Sequence, residues 1–146
     1  MEEVKKIVKD IDSGNIRPIY LITGEEPHYI DKIPEYIEKN VLSEEERAFN
    51  QMVFYGKEVS VEDIVSNAKR YPMMAERLVV IVKEAQHLSR TIDQLNSYAE
   101  NPQPSTVLVL CYKYNKFDKR KKVYKNIKKN GLCFESKKLF ENKVSE

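Results

Sequence analysis

Long hydrophobic runs are absent from this sequence. No stretch approaches the roughly 18 consecutive apolar residues that a membrane-spanning helix needs. The first six residues, Met1 to Lys6, lack the apolar segment of a secretory signal. We therefore expect a protein that has no membrane partner and is located in the cytoplasm.

Cysteine and histidine are scarce, with 2 of each in 146 residues. Cys111 and Cys133 each lie inside an apolar run, and neither has a second cysteine or a histidine at metal-site spacing. His28 and His87 are far apart and belong to no cluster of potential ligands. The pattern predicts buried free thiols and no metal site. A Ser–His–Asp or Cys–His arrangement cannot be derived from the sequence, because such groups meet only in space.

A phosphate-binding loop is also missing where one would be expected. The first strand-like run ends at Gly24, and a GxxxxGK[ST] loop that begins there requires Gly, Lys and Ser or Thr at positions 29 to 31. The chain has Tyr29, Ile30 and Asp31 instead. Without the lysine the charge of a phosphate is not neutralised, so we expect no nucleotide to bind at this loop.

The acidic pair that would hold the metal of an ATPase is missing too. A long aliphatic run, Leu78 to Val82, is followed by Lys83 and Glu84, where an ATPase with a GxxxxGK[ST] loop would have Asp and Glu. The sequence therefore predicts no ATPase site, no catalytic residues and no cofactor.

Hydrophobic patterning alternates between helices and strands along the chain. The predicted helices are 2–12, 27–40, 60–68, 89–100 and 119–130, and the predicted strands are 18–23, 48–55, 78–82, 107–112 and 132–136. The run at 78–82 has no polar alternation, which is typical of a central strand covered on both faces. Five strands separated by helices predict an α/β fold with three layers, a mainly parallel five-stranded sheet and helices on both faces.

The domain organisation follows from the same pattern. We expect one domain over residues 1–138, because the chain is long enough for one core and too short for two. A new apolar pattern begins at Leu139 and stops within residues 139–146. We interpret this segment as the start of a linker to domains that are absent from this chain.

Two adjacent methionines precede the long aliphatic run. Neighbouring residues point about 100° apart on a helix and to opposite faces of a strand, so Met73 and Met74 should not both face the core. Together with Tyr71 and Pro72 they would form an exposed apolar knob that suits a partner's pocket. The alternative is one methionine under the sheet edge and the other exposed by chance.

The basic residues are concentrated near the end of the chain. Residues 113–138 contain 11 Lys or Arg and 2 acids, leaving 14 of the 25 basic and 21 of the 23 acidic residues elsewhere. This imbalance indicates a surface for a polyanion or an acidic partner, or a solvated helix face. The candidate contact residues are Lys119, Arg120, Lys121, Lys122, Lys125, Lys128 and Lys129.

Three segments of the chain resemble the delta subunit of the bacterial DNA polymerase III clamp loader. They are residues 18–27, where a strand ends in Gly-Glu-Glu-Pro without a phosphate-binding lysine, residues 71–81 around the methionine pair, and residues 101–109. The resemblance covers nearly the whole chain. It implies a domain of the P-loop NTPase or AAA+ type with a degenerate nucleotide site.

The resemblance also implies a function. In that family two consecutive large apolar residues before the central strand enter a hydrophobic pocket on the sliding clamp, and Met73 and Met74 occupy those positions. Leucine and phenylalanine are more frequent there, so the methionines keep the apolar volume and leave the affinity open. The chain would bind and open the sliding clamp, the beta subunit, during DNA replication without hydrolysing ATP. Domains outside this chain would join the other clamp-loader subunits.

Two other functions remain as alternatives. One is an active P-loop enzyme, which the missing lysine at position 30 and the missing acid at position 83 disfavour. The other is a nucleic-acid-binding module that uses the basic C-terminal helix. This role is compatible with the first, because a clamp loader works at DNA.

Overall fold

A parallel sheet of five strands forms the middle layer of the chain, in a computed structural model that describes residues 2–25, 27–114 and 116–136. The strands are β1 (Ile19–Gly24), β2 (Gln51–Tyr55), β3 (Leu78–Lys83), β4 (Thr106–Lys113) and β5 (Leu132–Ser136). Their order across the sheet is β2-β3-β4-β1-β5, and each neighbouring pair is parallel. β2 and β5 are therefore the edge strands.

Helices cover both faces of this sheet. They are α1 (Glu2–Asp12), α2 (Pro27–Asn40), α3 (Glu44–Asn50), α4 (Val61–Ala68), α5 (Asn96–Glu100) and α6 (Lys122–Asn130). The buried residues of α1 and α2 pack with one face of the sheet, and those of α4, α5 and α6 pack with the other. Side chains of β1, β3 and β4 alternate between these two cores, as the two-residue period of a strand requires. The predicted three-layer α/β fold is confirmed.

The start of β2 differs from the sequence prediction. A strand was expected from Ala48, but the chain stays helical until Asn50. The reason is a capping box at the start of α3. The Ser43 hydroxyl accepts a hydrogen bond from the Glu46 N–H at 3.3 Å, and the Glu46 carboxylate accepts one from the Ser43 N–H at 2.9 Å.

The predicted helix at 89–100 is α-helical only over Asn96–Glu100. The chain forms two short 3-10 helices, Ala85–Leu88 and Ile92–Leu95, and becomes α-helical only in α5. Backbone hydrogen bonds three residues apart link this segment, for example from Gln94 N–H to Thr91 O at 2.9 Å. No side-chain hydrogen bond caps the second 3-10 helix or α5 at its start.

The two cysteines differ in their burial. Cys111 lies in the core on β4, as predicted, whereas Cys133 is only half-buried because β5 is an edge strand. Both are free thiols. No helix within the described ranges is long and apolar enough to cross a bilayer. Residues 139–146, where the linker was predicted, lie outside the described residues.

Candidate functional site

The methionine pair lies in a short segment between α4 and β3, which we call the tip and define as Tyr71 to Met74. Its side chains project into solvent: Tyr71 is 79% exposed, Met73 56% and Met74 96%. The prediction that Met73 and Met74 do not both face the core is therefore confirmed, and both are exposed. The alternative, with one methionine under the sheet edge, is wrong.

A buried asparagine holds the backbone of the tip. Asn50, the last residue of α3, is only 1% exposed. Its side-chain oxygen accepts a hydrogen bond from the Met73 N–H at 2.6 Å, and its side-chain nitrogen donates to the Met73 carbonyl oxygen at 2.9 Å. The same nitrogen also donates to the Glu46 carbonyl oxygen at 2.9 Å. One side chain thus fixes both polar backbone groups of Met73 and ties the tip to α3.

The next residue adopts a strained backbone conformation. Met74 has a φ of 57°, in the left-handed region that non-glycine residues rarely occupy. Such a conformation costs roughly 1–3 kcal/mol and persists only where the surroundings impose it. The paired hydrogen bonds of Asn50 to Met73 provide that constraint. The tip therefore presents its side chains from a fixed frame.

The sequence did not single out Asn50. Its partner Met73 lies 23 residues further along the chain, and an asparagine at the end of a short helix carries no local sign of a distant contact. The contact exists because β2 and β3 are parallel neighbours, with Gln51 opposite Val79. The two segments that precede these strands therefore meet at the end of the sheet where the parallel strands begin. Only the strand order reveals this.

The opposite end of the sheet, where the strands finish, holds the cleft in which nucleotides bind in open α/β folds. The cleft has a volume of about 230 Å³ and is lined by Asp31, Pro34, Glu35, Glu38, Tyr55, Lys83, Glu84, Cys111 and Lys113. Four of these residues are acidic and two are basic, so the lining has an excess of negative charge. Such a lining disfavours a polyphosphate.

An ion cluster occupies the centre of this cleft. The Lys113 ammonium lies 2.9 Å from an Asp31 carboxylate oxygen and 3.8 Å from a Glu84 carboxylate oxygen. The Gln86 side chain completes the cluster. Its nitrogen donates to a Glu84 carboxylate oxygen at 2.7 Å, and its oxygen accepts from the backbone N–H of Lys113 at 2.9 Å. Partial burial lowers the pKa of Lys113, but the hydrogen bond and charge of Asp31 outweigh it, and the net pKa is raised.

The residues that replace a phosphate-binding loop serve the packing of the domain. Ile30, at the position of the missing lysine, is 0% exposed and belongs to the core under α2. Gly24 has a φ of 130°, and a Cβ there would lie 2.0 Å from the Ser136 carbonyl oxygen. The Glu25 N–H donates to that same oxygen at 3.1 Å. The glycine is thus required by the close approach of β5.

The seven predicted basic residues divide into two groups. Three of them pair with acids: Lys119 with Glu135 at 2.8 Å, Arg120 with Asp118 at 3.0 Å and Lys121 with Asp93 at 3.1 Å. The helix also begins later than predicted, at Lys122. Lys122, Lys125, Lys128 and Lys129 are exposed on α6.

A shallow basic hollow lies beside α6. It has a volume of about 530 Å³ and is lined by Lys119, Tyr124, Lys125, Lys128 and Lys129. An aromatic ring surrounded by lysines is suited to a phosphate-bearing ligand. In the described parts of the chain, no three Cys, His, Asp or Glu side chains form a group that could hold a metal ion.

The fold and the cleft define an α/β module of the P-loop NTPase or AAA+ type that lacks the phosphate-binding lysine. Two solved structures from Thermotoga maritima share this fold. A DNA polymerase III gamma subunit-related protein is 17% identical, with a TM-score of 0.57, over 91% of this chain and 45% of that one. A RuvB mutant is also 17% identical, with a TM-score of 0.51, over 93% and 45%.

The chain belongs to the DNA polymerase III delta subunit family, whose model matches residues 20–137. The DNA polymerase III subunit delta of Bacillus subtilis (strain 168) is 31% identical over 140 residues, which cover 90% of this chain and 40% of the relative. The solved Bacillus subtilis DNA clamp loader delta protein is 32% identical, with a TM-score of 0.83, over 93% and 43%. The chain therefore spans about two fifths of the length of these relatives.

Proposed function

We propose that this chain is the clamp-binding domain of a clamp-loader delta subunit and that its tip inserts into a hydrophobic pocket on the sliding clamp. The domain comprises residues 1–138, and residues 139–146 lead to further domains that join the other clamp-loader subunits. The protein acts in the cytoplasm during DNA replication. The observation that carries this proposal is the pair of exposed methionine side chains on a backbone fixed by Asn50.

The fixed backbone favours binding. A segment that already has its bound conformation loses little conformational freedom when it enters a pocket, so more of the burial energy is retained. Methionine is unbranched and adapts to an irregular pocket. Full burial of one such side chain contributes roughly 1.5–3 kcal/mol, and Met74 starts from 96% exposure.

We further propose that the domain opens the clamp mechanically and does not hydrolyse ATP. The acidic cleft, the ion cluster of Lys113 and the buried Ile30 support the absence of hydrolysis. Opening then follows from differential affinity: the tip shifts the clamp towards an open ring only to the extent that it binds that form more tightly. On this proposal the domain has no catalytic residues.

The test is the affinity for the cognate clamp of the parent chain and of a Met73→Ser, Met74→Ser variant. Losing both apolar contacts should weaken binding by about 3 kcal/mol, or roughly 100-fold. Tyr114→Ser provides the control, because Tyr114 is a 61% exposed aromatic residue that directly follows β4, at the end of the sheet opposite the tip. If the double variant binds like the parent, the tip is not the contact.

A second candidate function is contact with DNA through the basic hollow beside α6. The observation that favours it is the group of lysines around Tyr124. Phosphate contacts make binding strongly dependent on salt, because counterions are released. A Lys125→Gln, Lys128→Gln, Lys129→Gln variant should bind duplex DNA more weakly at low salt and with a shallower salt dependence. A parent chain that shows no DNA binding at low salt would exclude this function.

A further inference from the structure

Phe49 is an exposed aromatic residue that the tip does not account for. Six large hydrophobic side chains are exposed within the described residues, and Tyr71, Met73 and Met74 of the tip are three of them. Phe49 lies in the last turn of α3 and is 66% exposed. A single exposed hydrophobic residue is ordinary in a monomeric protein. The position of Phe49 relative to the tip makes it unusual.

Phe49 and the tip are attached to the same rigid frame. Phe49 directly precedes Asn50, whose side chain makes two hydrogen bonds to the Met73 backbone, at 2.6 and 2.9 Å. Consecutive Cα atoms are about 3.8 Å apart, so the Phe49 backbone is only one residue removed from this contact. Phe49 and the tip are therefore carried by two elements that Asn50 joins at the end of the sheet where the parallel strands begin.

The direction of Phe49 follows from its neighbours on α3. The Arg47 guanidinium donates to the Lys39 carbonyl oxygen near the end of α2, so Arg47 faces the α2 side of the sheet. Phe49 comes two residues later, or about 200° around the helix, and therefore points away from α2. The opposite side carries α4 and the residues that follow it, where Arg70 reaches the Met52 sulfur at 3.5 Å.

We propose that Phe49 and the tip form one continuous apolar surface and that the same sliding clamp covers both. This inference rests on the proposed function, because it extends the contact made by Met73 and Met74. The occupant is the same partner because Asn50 holds the two parts together, so a protein that receives the tip is brought against the end of α3. Phe49 is thus a second anchor that lies outside the segment preceding β3.

The experiment compares clamp affinity for Phe49→Ser, Phe49→Leu and the parent chain. Serine and phenylalanine have similar helix propensities, so the exchange should leave α3 and the melting temperature unchanged. We expect the serine variant to bind roughly 5- to 20-fold more weakly, and the leucine variant to regain most of the loss. Tyr55→Ser is the matched control, because this exposed aromatic lies at the other end of β2.

The outcomes separate this inference from the proposed function. If the Met73→Ser, Met74→Ser variant loses binding while Phe49→Ser binds like the parent, the second anchor is refuted and the clamp contact of the tip stands. If the methionine variant binds like the parent, the proposed function fails and the inference fails with it. A loss for Phe49→Ser that Phe49→Leu does not restore, or that Tyr55→Ser reproduces, also refutes the second anchor.

Discussion

Replacing Asn50 with alanine should loosen the tip without removing any of its exposed side chains. The variant leaves three backbone groups without their present partner: the Met73 N–H, the Met73 carbonyl and the Glu46 carbonyl. Each lost hydrogen bond costs about 1 kcal/mol where water can replace the partner, and more where it cannot. We therefore expect a loss of about 2–4 kcal/mol in the free energy of unfolding, or roughly 10 °C in melting temperature.

Clamp affinity should also fall in this variant, although Met73 and Met74 are unchanged. Without the asparagine the left-handed conformation of Met74 is no longer imposed, so the tip samples other conformations before it binds. The two effects are measured separately, by urea unfolding followed by circular dichroism and by calorimetric titration with the clamp. Affinity should be compared at a temperature where both proteins are folded.

An Asn50→Asp variant sharpens the test. An ionised aspartate still accepts from the Met73 N–H, but its second oxygen would face the Met73 and Glu46 carbonyl oxygens, which cannot donate. Once protonated, the carboxyl group donates again. The difference in unfolding free energy between the Asn50→Asp variant and the parent should therefore become smaller as the pH falls from 7 towards about 4. An alanine variant as stable as the parent, or an aspartate variant with no pH dependence of the gap, would refute this account of the tip.

Three further predictions concern the cleft and the thiols. Ile30→Lys should fail to create ATP binding in a calorimetric titration and should destabilise the domain by about 3 kcal/mol or more, because the side chain is buried in the core; measurable ATP affinity would contradict this. Lys113→Met should cost less than about 1 kcal/mol because its partner Asp31 is partly exposed. Because the pKa of Lys113 is raised, its ion pairs stabilise the fold below its ordinary pKa, and this stabilisation disappears as the pH rises through the raised value. The difference in unfolding free energy between the parent and Lys113→Met, measured in urea, should therefore vanish at alkaline pH. A difference that persists there would count against the ion cluster. Burial raises the pKa of Cys111 to about 12 and that of Cys133 to about 11, so both thiols should react slowly with a disulfide reagent at pH 8 and rapidly after unfolding; fast reaction of the folded chain would show that the thiols are accessible and ionised.

The strands were predictable from the sequence because their signal is local. The aliphatic run of β3 reads as a buried central strand, and β3 is covered on both faces. The errors arose where a local pattern has two interpretations. Phe49 looks like strand-forming sequence, but the capping box that begins at Ser43 extends the helix to Asn50. At 89–100 the apolar spacing suits an α-helix, but Ile92–Leu95 forms a 3-10 helix and only Asn96–Glu100 is α-helical.

The candidate site was predictable only in part. The exposure of at least one of Met73 and Met74 follows from their being adjacent, since neighbouring residues do not share one face; the exposure of both is a finding of the structure. Their support by Asn50, and the position of Phe49 beside them, depend on β2 and β3 being parallel neighbours. A single sequence shows that strands exist, but not which strands pair. Contacts between segments that precede different strands therefore remain hidden until the strand order is known.

The most direct test of the clamp contact is NMR of methionine methyl groups labelled with carbon-13. Met52 is an internal reference, because it is partly buried against the core, whereas Met73 and Met74 are exposed at the tip. When unlabelled clamp is added, the signals of Met73 and Met74 should shift or broaden in proportion to the clamp bound, and that of the partly buried Met52 should change less. Clamp binding that leaves both tip methyl signals unchanged would contradict the proposed function.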